Sequence, residues 1–165
     1  MSYTPDFSLE VEGVKGVCPA GERWAEQQIA EARIPVFSCE GPCIRGEIAR
    51  LAANQVAREK PYARACHAET FFVPHSGMVR WVKGDEKTVV IDGCVLKCHG
   101  RALKNLVGAE KLIHFDALTL HGKYKDVFLM DDVPEAERKE VARQVAEKIS
   151  ATLRGGEERC RAGAA

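Results

Sequence analysis

Two cysteine pairs carry the chemistry that this sequence can perform. "FSCEGPCIR" holds Cys39 and Cys43, and "VVIDGCVLKC" holds Cys94 and Cys98, each pair with three residues between its members. Thiolates are the soft ligands that zinc takes at the corners of a tetrahedron, and ligand pairs a few residues apart are the usual way to supply them. Each pair follows an apolar run and precedes a stretch of helical spacing. The first thiol of each pair then falls at a strand exit and the second at a helix start. Unpaired backbone N–H groups there favour thiolate over thiol. The pattern predicts a zinc site built from Cys39, Cys43, Cys94 and Cys98, with Cys39 readily ionised. Four thiolates can also hold an iron–sulfur cluster, which stands as the alternative metal group.

A different chemistry uses the first pair alone. "CEGPCIR" is Cys-x5-Arg between a strand and a helix, and it resembles the phosphate-binding loop of low-molecular-weight tyrosine phosphatases and the related arsenate reductases. In that reading Cys39 is the nucleophile, helix-start N–H groups cradle an oxyanion and Arg45 clamps it. Asp131 or Asp132 would be the acid. Gly46 stands where such loops carry a hydroxyl residue, no Asp-Pro follows, and Cys94 and Cys98 are left without a task. Cys66, in "ARAC", is either a fifth thiol near the site or a core cysteine. His67 and His99 each follow a cysteine and could replace a ligand, although a histidine at a helix start reads first as a surface donor. His75, His114 and His121 have no partner spacing, and Cys18 and Cys160 lie outside the repeated pattern.

The elements that must position these thiols come next. The chain has 165 residues, enough for one sizeable core, and 24 basic side chains balance 24 acidic ones. Zero net charge argues against a general nucleic-acid or anionic-membrane binder. No apolar run approaches the ~20 residues of a membrane span, and the N-terminus lacks the basic and apolar regions of a secretion signal. The expected compartment is the cytoplasm, where seven cysteines point to metal or thiol chemistry rather than disulfides.

Residues 1–33 read as an extension with a helix at 21–33 that has Trp24, Ile29 and Ala32 near one face. Residues 34–38 are a short buried strand. Ile44, Ile48, Leu51, Ala52 and Val56 repeat at helical spacing. Residues 63–73 look extended, 76–84 form a short helix or turn, and 87–93 form a strand apolar on both faces. A short helix follows despite Gly100. "KLIHFDALTL" reads as a strand and "DVFLM" as a possible last one. The final helix has Asp132 as its cap and Val141, Val145, Ile149 and Leu153 at four-residue steps. Residues 154–165 read as a flexible tail, leaving 34–153 as the α/β metal-binding domain.

Alternating strands and helices predict a three-layer α/β sandwich around a mostly parallel, flavodoxin- or Rossmann-like sheet of four to five strands. Sites in such sheets form beyond the carboxyl ends of the strands. In the flavodoxin-like order the first strand lies beside the third, which brings Cys39 and Cys94 to neighbouring exits.

"VVIDGCVLKC", the upstream "FSCEGPCIRGEIARLAANQVA" and the lone "ARAC" together resemble the DGC-domain family, named for an Asp-Gly-Cys motif that is Asp92-Gly93-Cys94 in this chain. The similarity covers roughly residues 34 to 130. It implies zinc held by the cysteines and no established biochemical function. The family's first pair is usually Cys-x2-Cys, so Cys39-x3-Cys43 departs by one residue. A closed four-thiolate site leaves no open position for substrate and leans away from an enzyme, toward a sensor or adaptor whose protein partner the sequence does not name.

Overall fold

The computed structural model describes residues 5–162, with side chains through Gly156. Four strands, β1 (Ile34–Ser38), β2 (Tyr62–Arg64), β3 (Thr88–Asp92) and β4 (Leu112–Asp116), form one sheet in the order β2-β1-β3-β4. Every pairing is parallel. Among the described residues seven α-helices accompany the strands: α1 (Pro19–Ala30), α2 (Ile44–Val56), α3 (His67–Phe72), α4 (Gly77–Lys83), α5 (Cys98–Val107), α6 (Ala117–His121) and α7 (Glu135–Ala162). The expected three-layer α/β sandwich is what the chain adopts.

Alternation along β1 and β3 divides the core in two. Val36, Val89 and Ile91 face α2 and α7, where Ile44, Ile48, Val56, Val141, Val145 and Ile149 complete one cluster. Phe37 and Val90 face the other side with Ala25, Met78, Trp81, Val82 and Leu103. Each such aliphatic side chain removed from water contributes roughly 1.5–3 kcal/mol before entropy is counted. The four-residue stripes on α2 and α7 are the buried faces, as their spacing requires. Among the described residues, no helix is long and apolar enough to cross a membrane.

Several expectations need correction. Residues 63–73 are not one extended run: β2 stops at Arg64 and α3 begins at His67, where Thr70 Oγ1 donates to the Cys66 carbonyl at 2.7 Å. "KLIHFDALTL" likewise breaks at Asp116, whose carboxylate accepts from Thr119 N at 3.2 Å and caps α6. "DVFLM" adds no strand to the sheet. It contributes an isolated antiparallel bridge, Leu129 to Cys43, and buries Val127 and Met130 against the α2–α7 cluster. Asp132 lies in a 3-10 turn (Met130–Asp132), and α7 starts only at Glu135. That helix runs on through residue 162; the last three residues, and the Cys160 side chain, lie outside the described portion.

The N-terminal helix starts two residues earlier than its apolar spacing suggests, because Pro19 suits a first turn and Cys18 Sγ accepts from Gly21 N at 3.4 Å. Its buried residues are Ala25 and Gln28, while Trp24 and Ile29 are 42% and 47% exposed. Two carboxylates pin it. The buried Glu69 of α3 accepts from Cys18 N at 3.2 Å. Glu22 of α1 accepts from Gly77 N at the start of α4 and pairs with Arg80 at 3.1 Å. Glu69→Ala strands the α1 N-terminus and should destabilise the protein by about 1 kcal/mol, the usual size of a lost cap. The readout is a lower urea midpoint at unchanged slope; a wild-type midpoint would mean that apolar contacts alone hold α1.

Candidate metal centre

All five thiols of interest gather at one edge of the sheet. Cys39 leaves β1, Cys66 follows β2, Cys94 leaves β3, and Cys43 and Cys98 stand at the starts of α2 and α5. Cys39 N donates to Ile91 O at 2.9 Å, which carries the β1–β3 pairing one residue past the strand. Its Sγ is half-buried, and the nearby backbone N–H groups of Gly41 and Gly93 favour its ionised form. The Asp92-Gly93-Cys94 turn therefore lies beside the first thiol. Cys43 caps α2, its Sγ accepting from Gly46 N at 3.4 Å. A β-carbon on Gly41 would sit 3.6 Å from Cys39 Sγ and 3.9 Å from Cys43 Sγ, so the two sulfurs flank the same glycine.

Glycines make this approach possible. A β-carbon on Gly93 would stand 2.7 Å from the Arg45 carbonyl oxygen, and one on Gly46 would collide with the Gly41 carbonyl. The Cys39–Cys43 loop, the first turn of α2 and the turn after β3 are thus packed backbone against backbone. The expectation of a readily ionised Cys39 is overturned by this enclosure. Burial pushes its thiol up, and the Gly41 and Gly93 N–H groups pull the other way without prevailing.

The second pair is more open. Cys94 is half-buried, Cys98 is exposed, and between them Val95 and Leu96 are 72% and 63% exposed. Lys97 takes the left-handed conformation (φ 50°) just before α5, and its N–H donates to Cys94 O at 3.1 Å. Arg101 Nη2 lies 4.0 Å from Cys98 Sγ. Among the described residues no three His, Cys, Asp or Glu side chains converge closely enough to hold a metal ion. The donors are of the type that zinc takes, and they leave neighbouring strands. One half is drawn together around Gly41 and the other stands apart from it.

Histidines that carry no spacing signal turn out to matter. Asp92, the last residue of β3, accepts from His99 N (3.1 Å), Gly100 N (2.9 Å) and His114 Nε2 (2.9 Å). Burial works against its charge, but His114 and the two amides prevail and hold the carboxyl below its ordinary range. His67 and His99 are not surface donors. Their rings meet edge to face at 4.8 Å, His67 also packs on Phe37, and His67 Nε2 lies 2.8 Å from Ser38 O. Glu40, inside the Cys39–Cys43 loop, accepts from Ser38 Oγ at 2.6 Å and from Arg64 Nη2 at 2.8 Å. Glu47 is engaged by Arg50, which leaves Arg45 without an acidic neighbour there, and Arg45 Nε is buried with no hydrogen-bond partner among the described residues. The one available clue to the histidines was the doublet Cys-His, which occurs after β2 and again at the start of α5.

Burial, followed by the neighbouring His99, lowers His67 to about 4. The unfolded chain therefore takes up this proton first. The resulting stability is fully present above the ordinary value of about 6.5 and is lost as the pH falls toward 4. Metal-free protein should show a urea midpoint that drops across that window, and His67→Gln should flatten the drop. An unchanged pH profile in the variant would assign the effect elsewhere.

A family model for the DGC domain matches residues 35–145. No curated protein and no solved structure matches the chain.

Proposed function

Because the chain belongs to the DGC-domain family, we propose that it is a metal-binding protein whose ion is zinc, held by Cys39, Cys43, Cys94 and Cys98. The observation that carries this reading is the packing of the Asp-Gly-Cys turn on the Cys39–Cys43 loop across two sheet-neighbour strands: Cys39 N donates to Ile91 O at 2.9 Å, and a β-carbon on Gly93 would meet the Arg45 carbonyl oxygen at 2.7 Å. Zinc would supply the positive charge that draws buried thiols to thiolate. The chain supplies an N–H donor to Cys43 and packs glycine backbone around Cys39 and Cys43. Completing the set takes a movement of the 94–98 turn toward Cys39. Cys66, exposed at the start of α3, is a spare thiol on the same edge. Closed coordination by four thiolates leaves no place for substrate, so the role is that of a metal-dependent structural or sensing protein.

The anion-loop reading has one observation in its favour, the unpartnered Nε of Arg45. Against it, burial raises the thiol that would have to be the nucleophile. Metal analysis and turnover assays separate the two. Protein purified under reducing, chelator-free conditions should carry about one zinc per chain. Neither that form nor the metal-free form should hydrolyse an aryl phosphate or reduce arsenate with added thiol. Turnover abolished by Cys39→Ser and Arg45→Ala, yet indifferent to Cys94→Ser, would replace the metal reading with the enzyme.

A further inference from the structure

Asp92 is the acidic member of Asp92-Gly93-Cys94, and by residue type it could serve as a ligand or a proton acceptor. Its contacts point to neither. An ionised carboxylate offers about four lone-pair sites. Three are taken, Oδ1 by His99 N and Oδ2 by both Gly100 N and His114 Nε2. The side chain is 2% exposed. All three donors lie on α5 and β4.

The groups it engages are the first turn of α5, whose opening residue is Cys98. Lys97, at the cap position of that helix, makes no side-chain cap bond. Asp92 provides the missing cap from the neighbouring strand. The space for it depends on Gly100, where a β-carbon would lie 2.8 Å from Asp92 Oδ2 and 2.8 Å from His114 Cδ2. His114, on β4 opposite Val90, closes the arrangement from the far side. One carboxylate therefore ties three consecutive elements, the parallel strands β3 and β4 and the helix α5 between them, at the point where the second thiol pair begins and ends.

We propose that Asp92 and His114 are positioning residues for the Cys94–Cys98 arm, an inference that rests on the metal reading above. They do not touch the ion. They fix the helix turn bearing Cys98 relative to the strand exit bearing Cys94, so that the arm can close as a unit. His114 is thereby part of the working site although it lies outside the motif.

The test uses the full chain and three variants. Asp92→Asn keeps the shape and turns an N–H against a donor. His114→Phe fills the ring space without the donor, and His114→Gln restores a donor. Zinc affinity is read by competition with a chromophoric chelator, under conditions where circular dichroism shows each protein fully folded. Amide exchange at His99 and Gly100 is read in the metal-free state. Asp92→Asn and His114→Phe should bind zinc roughly 10–100-fold more weakly, the range seen when partners behind metal ligands are removed. Their His99 and Gly100 amides should exchange faster while those of Val89 to Ile91 do not. His114→Gln should recover most of the affinity. Wild-type affinity in Asp92→Asn and His114→Phe, whatever their exchange rates, overturns the positioning role and leaves the metal site standing. A wild-type protein that takes up no zinc in the same competition overturns both.

Discussion

Cys43→Ser should leave a folded protein that has lost nearly all of its zinc. The thiol of Cys43 does two things at once: it accepts from Gly46 N to cap α2, and it flanks Gly41 beside Cys39 Sγ. Serine is a preferred N-cap, so the helix should keep or gain stability. A hydroxyl is a poor substitute for thiolate on zinc, so the metal should go, to below about a tenth of the wild-type content. Cys94→Ser and Cys98→Ser should lose metal to the same degree, and Cys18→Ser should retain it. Metal content by mass spectrometry together with thermal melts decides the matter. Retention of zinc in Cys43→Ser but not in Cys94→Ser would move the fourth ligand to Cys66, the remaining thiol on that edge.

Gly93→Ala should be among the most damaging single methyls that can be added near the site. Its β-carbon would press on the carbonyl carbon and oxygen of Arg45 and the amide nitrogen of Gly46, at 2.7 to 2.9 Å. These are backbone atoms of the first turn of a helix whose inner face is fully buried, so they cannot rotate away. Overpacking of this kind costs ~1–3 kcal/mol. The same shift would displace the turn that packs beside Cys39, so lost stability and lost metal should appear together. The comparison is with Gly122→Ala, where a β-carbon meets nothing but φ is +68°. That variant should lose some stability through backbone strain and keep its metal. Gly93→Ala protein with full metal content and a wild-type unfolding midpoint would mean that the turn and α2 can part without consequence.

Long amphipathic elements were legible from spacing, and short ones were not. The stripes on α2 and α7 repeat over three turns or more, and β1 and β3 are apolar on both faces because helices cover both. From those four elements the neighbouring exits of Cys39 and Cys94 follow. By contrast α3 and α6 have six and five residues, too few for a period to register, and tertiary contacts such as Glu69 on α1 decide their form. The polar side of the site was hidden for another reason. Asp92 and His114 are 22 positions apart, and His67 meets His99 only because β2 and β3 flank β1. No local pattern encodes such a meeting; it is a product of strand order. Exposure misled as well, since the helix start at Cys39–Cys43 implied an accessible thiolate while three glycines allow the backbone to close over it.

The way α1 is fastened bears on where this protein begins as a physical object. The family match starts at residue 35, at the first strand. Yet Ala25 is part of the cluster around Phe37, Met78 and Trp81, Trp81 Nε1 donates to Arg33 O at 2.8 Å, and Trp24 Nε1 donates to Arg64 O at 3.0 Å. A chain cut at the family boundary would uncover the side of α4 and its Met78–Trp81 cluster on which α1 packs, the kind of apolar surface through which proteins aggregate. It would also free the carboxylate of Glu69 and leave the amide end of α4 without Glu22. The smallest unit of this chain that keeps its own core covered therefore opens with the helix that Cys18 caps, ahead of the residues that the family model matches.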